Sequence, residues 1–120
     1  METGWIALAG AVGAVARYRI GVLIGVRAFP WATLTVNVLG SFLLALLLAG
    51  PGAGRWSQVT TTSIAVGLLG AFTTFSTFGH ETFTLLRTGR ETTALAYVAV
   101  SLVGGLAATA LGYVAGRALA

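Results

Sequence analysis

The sequence predicts an all-α integral membrane protein of four transmembrane helices, the third broken near its middle. Three observations predict it. Of 120 residues, 57% are hydrophobic and only 8% charged, with a mean hydropathy of +0.92, whereas a soluble domain carries about a quarter charged residues. The apolar residues fall into four long runs, each near the ~20 residues that cross a hydrocarbon core, and nothing remains for a soluble domain. The third run carries glycines and a cluster of hydroxyls at mid-span, where an unbroken helix needs only apolar residues.

The first span, residues 4–26, has no basic segment ahead of its apolar core; Arg17 and Arg19 follow that core instead. It therefore reads as a retained helix rather than a cleaved leader. "RAFPW" separates it from the second span, residues 31–49, on which Thr33, Asn37 and Ser41 recur at i, i+4 and i+8, along one face. "GPGAGRWSQ" leads to the third span, residues 60–86. There Thr73, Ser76, Thr77, His80 and Glu81 cluster on neighbouring positions, just after Gly67 and Gly70. After "RTGRE" the fourth span, residues 94–119, sets Tyr97, Ser101, Thr109 and Tyr113 on one stripe with Gly105 in the gap, and adds a ridge of Gly104, Ala108, Gly112 and Gly116. Such small-residue ridges bring helix backbones together. Close helix contact and a dimer are expected, because four short helices barely enclose a site alone. Long continuous apolar runs exclude a barrel, whose strands alternate over short segments.

Charge sets further bounds. The net charge of +4 rests on arginines scattered over several connections, without the dense basic patch that nucleic acid requires. There is no cysteine, and so no disulfide or thiolate metal site. No nucleophile–base pair, metal-ligand cluster or carboxylate dyad supports an enzyme. With four spans, Arg55 and Arg117 fall on the side of the termini, and Arg17, Arg19, Arg27, Arg87 and Arg90 on the other. This favours termini outside, but weakly. A small bias suits a chain that inserts in both orientations.

Polar residues within membrane helices face protein or water. One polar stripe on each of three helices therefore points to a shared polar interior. Blander readings stand beside this one. Serine and threonine bond back to the i−4 carbonyl, Phe75 and Phe78 pack, and Asn37 makes a single interhelical bond. His80 and Glu81 sit at a helix end, and Arg17 snorkels to headgroups. A break between residues 70 and 74 would free backbone groups at membrane depth, where such groups build ion sites. Carbonyls suit a cation; amides, hydroxyls and the positive ring edges of phenylalanine suit an anion.

Three blocks resemble the Fluc/CrcB fluoride channels: "AGAVGAVARY" on the first span, "ATLTVNVLGSFLLA" on the second and "GLLGAFTTFSTF" on the third. The likeness extends over nearly the whole chain. Alanine stands for glycine at Ala9, Ala32, Ala45 and Ala71. Gly105 stands where some members carry a hydroxyl, and His80 lies outside the pattern and takes no role. The resemblance implies a passive channel exporting fluoride across a microbial plasma membrane, built as an antiparallel, dual-topology homodimer with two pores. It implies that Phe75 and Phe78 turn ring edges to the anion, that Asn37 offers its amide, and that Ser76, Thr77, Tyr97, Ser101 and Thr109 supply hydroxyls. Glu81 would stand at a pore mouth and Arg17 near a vestibule. The carbonyls of Gly70 and Thr73 would hold a structural sodium ion at the dimer centre. Pairing with a related subunit is an alternative. Two rivals remain: a dual-topology multidrug exporter, which wants a mid-helix glutamate where the first span has only Glu2, and a non-transporting assembly subunit, which leaves the polar stripes unexplained.

Overall fold

The computed structural model describes residues 1–120. Helix α1 (Glu2–Ile24) is followed by α2 (Trp31–Ala49). The third span begins with α3 (Gln58–Thr62), widens into a π-helical segment (Ser63–Leu69), and ends its first half in α4 (Gly70–Phe72). Two extended residues then separate it from its second half, α5 (Phe75–Arg87), and α6 (Glu91–Leu119) completes the bundle. Four helical spans are long and apolar enough to cross a membrane, so the chain is a multi-pass membrane protein.

The helix ends lie up to three residues from those expected, because caps rather than hydropathy set them. Gly25, at φ 72°, stops α1 before Val26. The Ser57 side chain accepts the Thr60 N–H and starts the third span at Gln58. Gly89, at φ 74°, closes the turn after α5, and α6 then begins at the polar residues Glu91, Thr92 and Thr93.

Two close crossings organise the bundle. α1 lies on the π-helical segment, where a Cβ on Gly13 would collide with the Leu68 carbonyl and one on Gly67 would sit 2.7 Å from the Ile6 carbonyl oxygen. α2 lies along α6, where a Cβ on Gly112 would collide with the Phe42 carbonyl. The small-residue ridge of α6 is therefore spent within the chain, and it does not argue for a dimer. Gly21 has open space around it. Large apolar side chains such as Leu23, Leu106 and Val114 are exposed, which leaves an apolar outer surface suited to lipid or a second chain. The buried cluster is small: Leu34, Leu85, Ala94 and Tyr97, with Phe29, Val38 and Phe78 packed against it. It ties α2, α5 and α6 together, and Phe78 extends it along α5 towards the break.

Candidate functional site

The break consists of Thr73 (φ −85°, ψ 160°) and Thr74 (φ −152°, ψ 115°), both extended. An extended residue in a span loses its helical hydrogen bonds, and in hydrocarbon each loss must be made good. Side chains from two other helices do this. Asn37 of α2 accepts the Thr74 N–H on Oδ1 at 2.8 Å and donates from Nδ2 to the Thr74 carbonyl at 3.0 Å. The amide thus pairs with Thr74 as a neighbouring strand would. Arg17 of α1 donates from Nε to the Ala71 carbonyl at 3.0 Å, placing its positive charge at the C-terminal end of α4. Thr74 is also the N-cap of α5: its Oγ1 accepts the Thr77 N–H at 3.3 Å and lies 3.0 Å from Thr77 Oγ1.

Glu81 follows along α5. This helix continues to Arg87, so Glu81 is mid-helix and not at a helix end. Thr33 of α2 donates to one carboxylate oxygen at 2.9 Å, and Tyr97 of α6 donates to the other at 2.7 Å. A carboxylate gripped by two hydroxyls bridges three helices and is partly compensated for burial. Tyr97 has no exposed surface. Its ring receives Phe78 edge-on at 5.1 Å between centroids, and Phe78 lies 5.8 Å from Phe75. Phe75 itself is 83% exposed on the single chain.

Three cavities follow one another from mid-span to the end where α1 meets α2. A cleft of about 270 Å³ is lined by Asn37, Ser41, Gly70, Thr73, Thr74 and Phe75. A cavity of about 220 Å³ shares Thr74 with it and adds Arg17, Thr33, Thr77 and Glu81. A wider one of about 450 Å³ shares Glu81 and opens among His80, Arg27, Arg90 and Trp31. These walls offer hydroxyls, an amide and freed backbone, with a guanidinium and a carboxylate to the side. Such a lining replaces the water shell of a small ion without burying a bare charge opposite it.

A family model described as "CrcB-like protein, Camphor Resistance (CrcB)" matches residues 4–113. The chain belongs to the CrcB family. A CrcB relative from Deinococcus radiodurans, named fluoride-specific ion channel FluC, is 48% identical over 119 residues, covering 96% of this chain and 94% of its own. One of the same name from Bordetella petrii is 46% identical over 118 residues, with 95% and 90% covered. Another, from Thermus thermophilus, is 45% identical over 117 residues, with 95% and 94% covered.

On this CrcB scaffold the structure gathers Asn37, Thr77, Glu81, Tyr97, Phe78 and Arg17 around the break and the α5 face. Ser76 is exposed, with its hydroxyl 3.4 Å from Thr74 Oγ1. Ser101 is half-buried, while Thr109 is exposed and donates to the Gly105 carbonyl at 2.9 Å, so the lower α6 hydroxyls stand apart from the cavities. Ser41 likewise donates to the Asn37 carbonyl at 2.7 Å. The sequence assigns neither Thr74 nor Thr33 a role in the site, yet Thr74 joins Asn37 to α5 and Thr33 holds Glu81. A threonine placed directly before a helical run is an N-cap signal for Thr74. Nothing local signals the Thr33–Glu81 contact, which joins residues 48 positions apart.

Proposed function

We propose that this CrcB protein is a passive fluoride-selective channel that exports cytoplasmic fluoride, working as an antiparallel, dual-topology homodimer with two pores. The observation that carries the reading is the match, over nearly the whole chain, to relatives named fluoride-specific ion channels. The geometry agrees with it. Fluoride is small and strongly hydrated, so a pore must exchange water for many donors. The cleft beside the break holds such groups without a carboxylate, and Asn37 keeps its second Nδ2–H after bonding Thr74. Phe75 and Phe78 turn ring edges to the ion. Phe75, exposed on one chain, is completed by a facing copy.

Ser76 and Thr77 supply donors at the start of α5, and Ser101 supplies one along α6 where a second chain closes over it; Thr109 joins them only by releasing the Gly105 carbonyl. Thr33 and Tyr97 both give their protons to Glu81. These two donors reach the anion only when Glu81 turns away, which makes Glu81 the movable group at the mouth. Arg17, tethered to Ala71, raises the potential of the vestibule without entering the narrow path. Fluoride enters cells as the neutral acid and is trapped as the anion. The membrane potential then drives it outward at about 2.3 kcal/mol per 100 mV, so no coupling residue is needed.

A structural sodium ion fits the donor set at the dimer centre. Gly70 and Thr73 present neutral carbonyl oxygens, the ligand type that suits an alkali cation, and Gly70 is exposed where a second chain can reach it. Two carbonyls from each of two symmetry-related chains would form the ligand set. The ion would tie the two breaks together.

The test is fluoride efflux from liposomes containing the purified protein, with chloride as the comparison ion. Fluoride flux well above that of empty vesicles, with little chloride flux, is expected; flux no greater than in empty vesicles overturns the reading. Phe75→Ile and Phe78→Ile should slow or abolish fluoride flux with the dimer intact. Unchanged flux in both would reduce the rings to packing.

A further inference from the structure

We infer that Asn37 and Thr74 are positioning residues for the cation site: each diverts one backbone N–H, and together they leave free the two carbonyls that would bind sodium. The inference rests on the sodium reading above and adds what creates the site.

In an uninterrupted α-helix the N–H of residue i bonds the carbonyl of residue i−4. The Gly70 carbonyl would then receive the Thr74 N–H, and the Thr73 carbonyl would receive the Thr77 N–H. Neither bond is made. The Thr74 N–H goes to Asn37 Oδ1 at 2.8 Å, and the Thr77 N–H goes to Thr74 Oγ1 at 3.3 Å. The Thr73 N–H is also unavailable to Gly70, since it bonds the Leu69 carbonyl at 3.1 Å. Two side-chain oxygens, one on α2 and one in the break itself, thus capture the N–H groups that would close the helix over Gly70 and Thr73.

Other contacts hold this arrangement in place. Asn37 donates back to the Thr74 carbonyl at 3.0 Å, which fixes the plane of its amide. Thr73 Oγ1 donates to the Leu69 carbonyl at 3.1 Å, holding the side chain against α4. The Ala71 carbonyl, lying between the two free ones in sequence, is taken by Arg17 at 3.0 Å. Of the neighbouring carbonyls, those of Ala71 and Thr74 are thus held by side chains from α1 and α2. Both free carbonyls belong to residues lining the cleft beside Asn37.

The test reads sodium binding through thermal stability rather than flux. The melting temperature of the purified dimer is followed as sodium replaces N-methylglucamine at constant ionic strength, without fluoride. For the wild type it should rise and saturate with sodium. Thr74→Gly removes the capturing hydroxyl and keeps a residue accepted at N-caps; Asn37→Leu removes the other capture. Each should raise the sodium midpoint about five- to tenfold, the scale of one backbone hydrogen bond. Thr74→Ser keeps the hydroxyl and should stay within about twofold of wild type on that same scale. Should Asn37→Leu fail to fold, the Thr74 pair alone decides. A sodium-dependent wild type with unshifted Thr74→Gly overturns this inference and leaves the sodium site standing, as does a Thr74→Ser shift as large as that of Thr74→Gly. A wild type whose stability ignores sodium overturns the sodium site, and this inference with it.

Discussion

Glu81 shows most clearly how single residues here differ from their isolated reading. A glutamate near the end of an apolar run suggests an interfacial position, yet its two oxygens are gripped by Thr33 and Tyr97 from different helices. Tyr97→Phe removes one donor from a partly buried carboxylate and should destabilise the protein by about 1–3 kcal/mol. Glu81→Gln should cost less, because hydroxyls accept as well as donate and can turn to meet an amide N–H. Denaturation of the purified protein in detergent measures both, and a Gln variant costing more than Tyr97→Phe would mean that charge, rather than hydrogen bonding, holds the trio. Ser41→Ala provides a contrast. Its hydroxyl bonds only the carbonyl one turn back on its own helix, so the change should stay within about 0.5 kcal/mol, as surface-like changes do. The blander reading of hydroxyls thus holds for Ser41, Thr73 and Thr109, each bonded to an i−4 carbonyl, and not for Thr33 or Thr74.

At the scale of elements, the broken third span is the feature most legible in the sequence, because glycines and consecutive hydroxyls are poor continuations of an apolar helix. What the pattern could not show is where the freed groups go: they go to Asn37 and Arg17, on helices distant in sequence. Gly40 sits beside this junction, and a Cβ there would collide with Thr73 Cγ2. Gly40→Ala should push the break away from α2 and stretch the Asn37–Thr74 pair, at about 1–3 kcal/mol, the usual scale of overpacking. A melting curve indistinguishable from wild type would show that Thr73 yields freely. The α6 stripe shows the opposite failure. Residues four apart drift by about 40° per step on a helix of 3.6 residues per turn, hence about 160° from Tyr97 to Tyr113. Tyr97 is fully buried while Thr109 and Tyr113 face outward. The shorter stripe on α2 drifts only half as far, and Thr33 and Asn37 both reach the third span.

For the whole molecule, the outward surface sets the expectations. The bundle buries little, and its exposed faces are apolar, as helices crossing a hydrocarbon core require. The arginine split across the two ends is uneven but modest. If the chain inserts both ways, accessibility labelling of engineered terminal tags in intact cells should mark a substantial fraction from each side; labelling from one side only would exclude the antiparallel homodimer and require a related subunit. The four spans, their order and the polar break were determined by the sequence alone, because hydrophobic length and helix-breaking residues act locally along the chain. The family blocks were legible there too, because short motifs survive as strings. Only the tertiary structure decided that the α6 glycines serve a contact within the chain, that Glu81 is held rather than free, and that Asn37 and Thr74 take the hydrogen bonds that Gly70 and Thr73 lack. Each of these joins groups by geometry after packing, and hydrogen bonds between residues dozens of positions apart leave no periodicity in a sequence.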